Sequence, residues 1–175
     1  MTQPDIIIIG GGIAGVSAAA MLARDARVLL IETEAQLGYH ATGRSAAIFI
    51  RNYGNDVLRA LNGLSAPILQ APDGISDSSL LSPRGEMLIA GENEMAALED
   101  YAKGATGLER LTAAEAVALV PILRPERIAA AVIEPDAQDI DVDRMLQGYA
   151  RLFRERGGHI VTDAAVTGLK RINHC

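Results

Sequence analysis

The chain opens with two apolar runs separated by a stretch of small residues. Ile6 to Ile9 form a four-residue apolar run, which is the length of a buried strand. The segment VSAAAMLARD, which begins at Val16, has small and apolar residues at helical spacing, and a second apolar run, ARVLLIE, extends from Ala26 to Glu32. This order predicts a strand, a helix and a second strand, as in the βαβ unit of a parallel sheet.

The remainder of the chain predicts helices mixed with strands. A helix from Asn55 to Ala71 carries its apolar residues on one face, and the capping box at Thr112–Glu115 opens a helix that stops before Pro121. The other predicted helices are Glu92–Lys103 and Asp141–Arg156. The other predicted strands are Glu86–Ala90, Arg127–Glu134 and two final ones, HIVTDA from His159 and VTGLKRI from Val166.

The composition is that of a globular protein, since 49% of the 175 residues are hydrophobic. The apolar runs are far shorter than a bilayer span, and MTQPD lacks the basic region of a signal peptide, so we expect a cytoplasmic protein without a transmembrane segment. The net charge of −6 and the lack of a basic patch argue against nucleic-acid binding. Cys175 has no internal disulfide partner, and His40, His159 and His174 are too scattered to predict a metal site.

The first βαβ unit carries a glycine-rich turn typical of dinucleotide binding. Gly10 allows the turn, Gly12 lets the backbone approach a pyrophosphate, and Gly15 lets the helix lie close to the strand. Glu32 ends the second apolar run 20 residues beyond Gly12, where an acid accepts hydrogen bonds from ribose hydroxyls and repels a 2′-phosphate. The pattern favours a dinucleotide site over a purely structural turn, and it does not choose between NAD and FAD.

The segment GYHATGRSAAIF, Gly38 to Phe49, follows the second strand and favours FAD. Its small residues would let the backbone approach a flat ring or a pyrophosphate, and Arg44 can neutralise phosphate charge. The alternative is a surface loop with an exposed arginine.

Several stretches together resemble the flavin-dependent amine oxidoreductases of the D-amino acid oxidase type. They are IIIIGGGIAGVSAAAMLA, Glu32, GYHATGRSAA, NYG at Asn52–Gly54, LLSPRGEM at Leu80–Met87 and DIDVDRMLQGY at Asp139–Tyr149. Within that family the chain most resembles the bacterial D-arginine dehydrogenases. The resemblance implies a two-domain flavoprotein that removes hydride from the α-carbon of a D-amino acid, and it implies a quinone or oxygen as the electron acceptor.

The resemblance also implies a set of site residues, without a certain catalytic residue among them. Those that would bind non-covalent FAD are Gly10, Gly12, Ile13, Ala14, Gly15, Glu32, Thr33, His40, Ala41, Thr42, Gly43, Arg44, Ser45, Ala46, Ala47 and, near the adenine, Val166. At the substrate, Tyr53 would be a gating aromatic and Glu86 would receive a basic side chain. Ile48 stands where the D-arginine dehydrogenases have a substrate-contacting histidine, and this apolar replacement would broaden specificity.

The resemblance predicts an α/β fold, with an FAD-binding Rossmann-like βαβ domain interleaved with part of an α+β substrate domain. The predicted boundaries are 1–51 and 141–175 for the FAD-binding domain and 52–140 for the substrate-domain elements. Because enzymes of this type are roughly twice as long, we interpret the chain as the N-terminal part of one. Three alternatives are an oxidase of glycine- or sarcosine-type amines, an NAD-dependent dehydrogenase and a non-catalytic FAD-binding remnant.

Overall fold

The computed structural model describes residues 3–171. Within this range the strands are β1 Ile6–Ile9, β2 Val28–Ile31, β3 Ile48–Phe49, β4 Leu81–Pro83, β5 Glu86–Ala90, β6 Glu109–Leu111, β7 Ala130–Glu134, β8 Gln138–Ile140 and β9 His159–Val161. The helices are α1 Ile13–Leu22, α2 Asp56–Gln70, α3 Met95–Ala102, α4 Ala113–Leu119 and α5 Val142–Glu155. The chain divides into two compact units, the first formed by Met1–Ala47, Gln70–Leu80 and Asp141–Cys175 and the second by Ile48–Leu69 and Leu81–Ile140.

The first unit contains a parallel sheet with the strand order β1-β2-β9. Ile6 is paired with Val28, and Leu29 with His159. The core of the unit contains Leu30 of β2 and buried residues of α1 and α5, with Phe153 of α5 fully enclosed. The predicted βαβ unit and the α/β fold class are therefore confirmed.

Close packing places residues 70–80 in the first unit, although the predicted boundaries put them among the substrate-domain elements. A Cβ atom on Gly148 of α5 would lie only 2.2 Å from the carbonyl oxygen of Ile75. The side chain of Arg151 donates a hydrogen bond to the same oxygen at 2.7 Å. Both contacts hold this segment against α5.

The second unit contains two antiparallel sheets, with the orders β3-β8-β4 and β5-β7-β6. Phe49 and Leu81 of the first sheet pack against Ala66 of α2. In the second sheet, Ala90 and Val132 pack against Leu98 of α3. Each sheet therefore buries one side against a helix.

Helix α2 turns its polar side inward. Arg59 donates hydrogen bonds to the carbonyl oxygens of Gly54, Tyr101 and Lys103, each at 3.0 Å, and Asn62 donates to that of Ile50 at 3.1 Å. The predicted apolar face is exposed, and it consists of Val57, Leu58, Leu61, Leu64 and Ile68. These hydrogen bonds to distant carbonyls orient the helix.

Most predicted elements are confirmed to within a few residues, with two differences. The capping box forms, since Thr112 N–H donates to Glu115 at 2.7 Å and Glu115 N–H donates to Thr112 at 3.2 Å. The predicted helix from Glu92 begins as the 3₁₀ turn Glu92–Glu94 before α3. The predicted strand VTGLKRI is wrong, because the described residues 164–171 form no strand and are largely exposed; Ile172, His174 and Cys175 lie outside the described residues.

Gly148→Ala should destabilise the protein by about 1–3 kcal/mol, because the new methyl group would overlap the Ile75 carbonyl oxygen and force backbone movement. Gly63→Ala is the matched control within α2, since a Cβ atom there meets nothing within 4 Å. This second change should stabilise by up to about 1 kcal/mol. Urea unfolding of both variants measures the difference, and equal midpoints would contradict the packing described for Gly148.

Candidate dinucleotide-binding site

The glycine turn between β1 and α1 is shaped by close backbone contacts. Gly10 has a φ angle of +105°, which L side chains rarely adopt, and its N–H donates to the Ile31 carbonyl at 2.8 Å. A Cβ atom on Gly15 would lie 2.0 Å from the Gly10 carbonyl oxygen. Gly10 therefore permits the turn, and Gly15 permits α1 to approach it.

Glu32 joins the end of β2 to this turn. Its carboxylate accepts hydrogen bonds from Gly11 N–H at 2.5 Å and from Glu34 N–H at 2.9 Å. The side chain is buried, yet the N–H groups, with that of Glu34 first, lower the pKa of Glu32 against the opposing effect of burial. The ionised carboxylate thus holds the turn in place, a role additional to the predicted ribose contact.

The segment after Glu32 lies against the N-terminus of α1. Gly38 N–H donates to the Gly11 carbonyl at 3.0 Å, and Ile13 N–H donates to the Thr42 hydroxyl at the same distance. Residues Thr42–Arg44 form a 3₁₀ turn. A Cβ atom on Gly12 would lie 3.2 Å from the Thr42 hydroxyl oxygen, so the two segments leave little room between them.

This arrangement fits the diphosphate of a dinucleotide. The first turn of α1 has no acidic residue, and its N-cap, Gly12, has no side chain to occupy the positive end of the helix dipole. Arg44 is exposed, and its guanidinium lies 5.3 Å from the centre of the Tyr39 ring. The neighbouring residues Ala41, Gly43, Ser45 and Ala46 are also exposed, so their backbone is available to a ligand.

The structure places all the predicted FAD-binding residues in the first unit. Thr33 is exposed, and His40 pairs with Glu34 at 2.8 Å. Ala47 has a positive φ of 47°, and its N–H donates to the Ser45 hydroxyl at 3.0 Å. Val166 is exposed just beyond Ala164, whose N–H donates to the Glu32 carbonyl.

The predicted substrate residues lie in the second unit. Ile48 is a half-buried residue of β3, paired with Asp139, while Tyr53 is 62% exposed on the loop that precedes α2. Glu86 begins β5 directly opposite Glu134 of β7. Its Oε2 atom is buried and makes no hydrogen bond to any described residue.

The surroundings of Glu86 oppose its ionisation. Burial is the main cause of its raised pKa, and the negative charge of Glu134 adds to the effect, while Arg84 opposes it. Tyr101 also lies in this cluster, where burial and the nearby carboxylates raise the pKa of its hydroxyl to about 12. The predicted substrate carboxylate is therefore less readily charged than a solvated glutamate.

The sequence interpretation missed Glu134, which is 2% exposed. Its carboxylate accepts hydrogen bonds from Arg51 N–H at 3.0 Å and from the Asn52 side chain at 2.8 Å. One signal could have identified it, since Glu134 ends the apolar run AAVIE as Glu32 ends ARVLLIE.

The described residues were searched for a metal site and for a membrane-spanning helix. Across residues 3–171 no group of three or more His, Cys, Asp or Glu side chains is placed to hold a metal ion. No helix in the same range is long and apolar enough to cross a membrane.

The glycine turn, the clamped acid and the parallel sheet together define a dinucleotide-binding oxidoreductase fold. Residues 5–175 match the model of the DAO family, described as FAD dependent oxidoreductase, and the chain belongs to this family. The cofactor is therefore FAD, which decides the choice that the glycine pattern left open. The predicted D-amino acid oxidase-type family is confirmed at the level of FAD-dependent oxidoreductases, whereas the closer resemblance to D-arginine dehydrogenases stays a prediction.

Similarity to individual proteins extends over nearly the whole chain. L-2-hydroxyglutarate dehydrogenase of Salmonella houtenae is 30% identical over 176 residues, a match that covers 94% of this chain and 41% of the relative. Dithionite-reduced L-α-glycerophosphate oxidase of Mycoplasma pneumoniae with FAD bound has a TM-score of 0.79 at 19% identity, covering 95% of this chain and 46% of that one. Glycine oxidase of Bacillus cereus has a TM-score of 0.76 at 23% identity, covering 98% and 50%.

These relatives are about twice as long as the region they share with this chain. At the identities observed, the two solved structures establish the shared fold. The family is thus established over the matched region, while the substrate and activity of the whole protein are matters of proposal.

Gly12→Val should abolish FAD retention, because a branched side chain beside the Thr42 hydroxyl would fill the space a diphosphate needs. Flavin absorbance per protein after gel filtration measures the effect. Gly63→Val is the control, since position 63 is open to solvent and belongs to the second unit. Normal flavin content in Gly12→Val would overturn the assignment of this turn.

Glu32→Gln should lower the free energy of unfolding by about 1–3 kcal/mol near neutral pH, because an amide cannot accept both backbone N–H bonds. The folded-state pKa of Glu32 is depressed from 4.5, so its stabilisation is complete above that value and is lost as pH falls through the folded pKa. Urea unfolding should therefore show the two proteins converging in acid. An exposed control, Glu126→Gln, should match the wild type, and a pH-independent deficit in Glu32→Gln would contradict the account.

Proposed function

We propose that the whole protein oxidises the α-carbon of D-amino acids and that it favours basic side chains at high pH. Bound FAD supplies the chemistry, since its isoalloxazine ring accepts the hydride that leaves the α-carbon. The substrate becomes an imino acid, which water hydrolyses to a 2-oxo acid and ammonia. The observation that carries the proposal is the Glu86 carboxyl, whose Oε2 atom is buried without a hydrogen bond to any described residue, in a chain whose family is established.

The first unit would hold the non-covalent cofactor. Backbone N–H groups near Gly12 and the guanidinium of Arg44 would neutralise the diphosphate charge, and Glu32 would accept hydrogen bonds from the adenosine ribose. The exposed residues Ala41 and 43–46 would line the part of FAD between phosphate and ring. Electrons would pass on to a quinone or to oxygen.

The second unit would recognise the substrate side chain. An ionised Glu86 would attract a guanidinium or ammonium group, whereas Ile48 would favour an apolar side chain. Because burial and Glu134 oppose ionisation of Glu86, the preference for basic side chains should grow as pH rises. Tyr53 is exposed on its loop, and we assign it the role of covering a bound substrate.

A second candidate is the oxidation of a 2-hydroxy acid. The observation in its favour is the 30% identity to an L-2-hydroxyglutarate dehydrogenase over 94% of this chain. Both reactions remove hydride from a carbon next to a carboxylate. They differ in whether an amine or a hydroxyl group loses the proton.

The substrates can be separated by anaerobic reduction of the flavin in the whole protein. D-Arginine and D-lysine should bleach it, L-amino acids should not, and at high pH D-arginine should exceed D-leucine by roughly tenfold in kcat/KM. Glu86→Leu should reverse this preference. Bleaching by L-2-hydroxyglutarate with none by D-amino acids would replace the first candidate with the second, while a wild-type preference for D-leucine at all pH values would remove Glu86 from the substrate site.

A further inference from the structure

Glu134 connects three segments of the second unit through one buried carboxylate. Its Oε1 accepts the N–H of Arg51, and its Oε2 accepts the side-chain amide of Asn52 at 2.8 Å and the Tyr101 hydroxyl at 3.4 Å. The Asn52 amide also donates to the Thr106 carbonyl and accepts from the Thr106 N–H. The loop that leads into Tyr53 is therefore fastened at two successive residues.

The same carboxylate faces Glu86 across the β5–β7 ladder. Glu86 and Glu134 are directly paired residues, and the Oε2 atom of Glu86 is buried without a hydrogen bond to any residue in the described part of the chain. Among the described residues, Arg84 also acts on Glu86, and Tyr101, which shares this cluster, lies beside Arg59. Both carboxylate oxygens of Glu134 therefore accept hydrogen bonds, whereas the Oε2 atom of its neighbour Glu86 accepts none from the described residues.

We propose that Glu134 is a positioning and specificity-determining residue, which fixes the loop of Tyr53 and controls the charge of Glu86 without contacting the substrate itself. The inference rests on the proposed function for the roles of Tyr53 and Glu86. The coupling of Glu134 to Glu86 and to the loop does not depend on the substrate, because the strand pairing and the hydrogen bonds of Glu134 support it.

The coupling has a definite sign. A negative Glu134 opposes a second negative charge on Glu86, so Glu86 keeps its proton to higher pH than it would alone. Removal of the Glu134 charge should let Glu86 ionise at lower pH. The preference for basic over apolar substrates should then develop at lower pH as well.

The hydrogen bonds around residue 134 require two acceptor oxygens on its side chain. In Glu134→Gln one side-chain oxygen remains for the Arg51 N–H, but the new amide group would face the Asn52 amide, donor against donor. Asn52 cannot rotate freely to relieve this, because its carbonyl oxygen holds the Thr106 N–H at 3.0 Å. The loop should loosen, and KM should rise for every substrate.

The test compares wild type, Glu134→Gln and the control Glu109→Gln in the whole FAD-loaded protein. Glu109 lies on β6 of the same sheet and is exposed. One readout is the pH dependence of the ratio of kcat/KM for D-arginine to that for D-leucine. The other is the titration of the Glu86 carboxyl followed by ¹³C NMR, with the resonance assigned by its loss in Glu86→Gln.

In Glu134→Gln both midpoints should move to lower pH by roughly one unit, while Glu109→Gln leaves them in place. A purely structural role would change kcat/KM at every pH and leave the midpoints unmoved, which would overturn the proposal. If no D-amino acid is oxidised and the NMR midpoint still moves, the proposed function fails and the carboxyl coupling stands. Should Glu134→Gln not fold, Glu134→Met, which also removes the charge, takes its place with the same expected shift of both midpoints. A wild-type Glu86 carboxyl that titrates at or below 4.5, its ordinary value, would overturn the inference by itself.

Discussion

The contact between the Glu32 carboxylate and the Gly11 N–H is the interaction on which the cofactor site depends. It ties the end of β2 to the turn after β1 and so adds to the direct pairing of these two strands. The Gly11 carbonyl then receives Gly38 N–H, which sets the start of the loop that carries Thr42 and Arg44. The clamp thus acts together with the Ile13 N–H bond to Thr42, which joins the helix N-terminus to the same loop.

Each of the two units contains a buried glutamate that holds a neighbouring loop through hydrogen bonds. Glu32 and Glu134 each end an apolar strand, lie buried and accept backbone N–H groups from a neighbouring loop. The pKa of Glu32 is lowered, because hydrogen bonds from the N–H groups of Glu34 and Gly11 outweigh the effect of burial. Glu134 is paired with Glu86, and its negative charge adds to the effect of burial in raising the pKa of Glu86.

The sequence predicted the βαβ unit and its glycine turn well because their determinants are local. Gly10, Gly12 and Gly15 specify the turn through backbone sterics, and the acid that ends β2 follows from its spacing to them. The strands β3, β4, β6 and β8 have only two or three residues, which is too short for periodicity to reveal them.

Local sequence patterns could not predict the features that depend on residues far away in the chain. Helix α2 presents its apolar side outward because Arg59 reaches carbonyls more than 40 residues away. The strand predicted from Val166 is absent from the described residues, because a β-prone sequence forms a strand only where another strand pairs with it. The raised pKa of Glu86 likewise depends in part on Glu134 across the sheet, which the residues next to Glu86 in the sequence do not indicate.

The central claim is that the glycine turn and residues 41–46 hold FAD, and amide NMR of the isotope-labelled protein tests it most directly. On addition of FAD to the apoprotein, the account predicts saturable shifts largest at Gly12, Ala14 and residues 41–46. Amides at Arg27 and His159, which line a cavity at the opposite end of the parallel strands, should stay unchanged. Shifts concentrated at Arg27 and His159, or none at the glycine turn, would contradict the account.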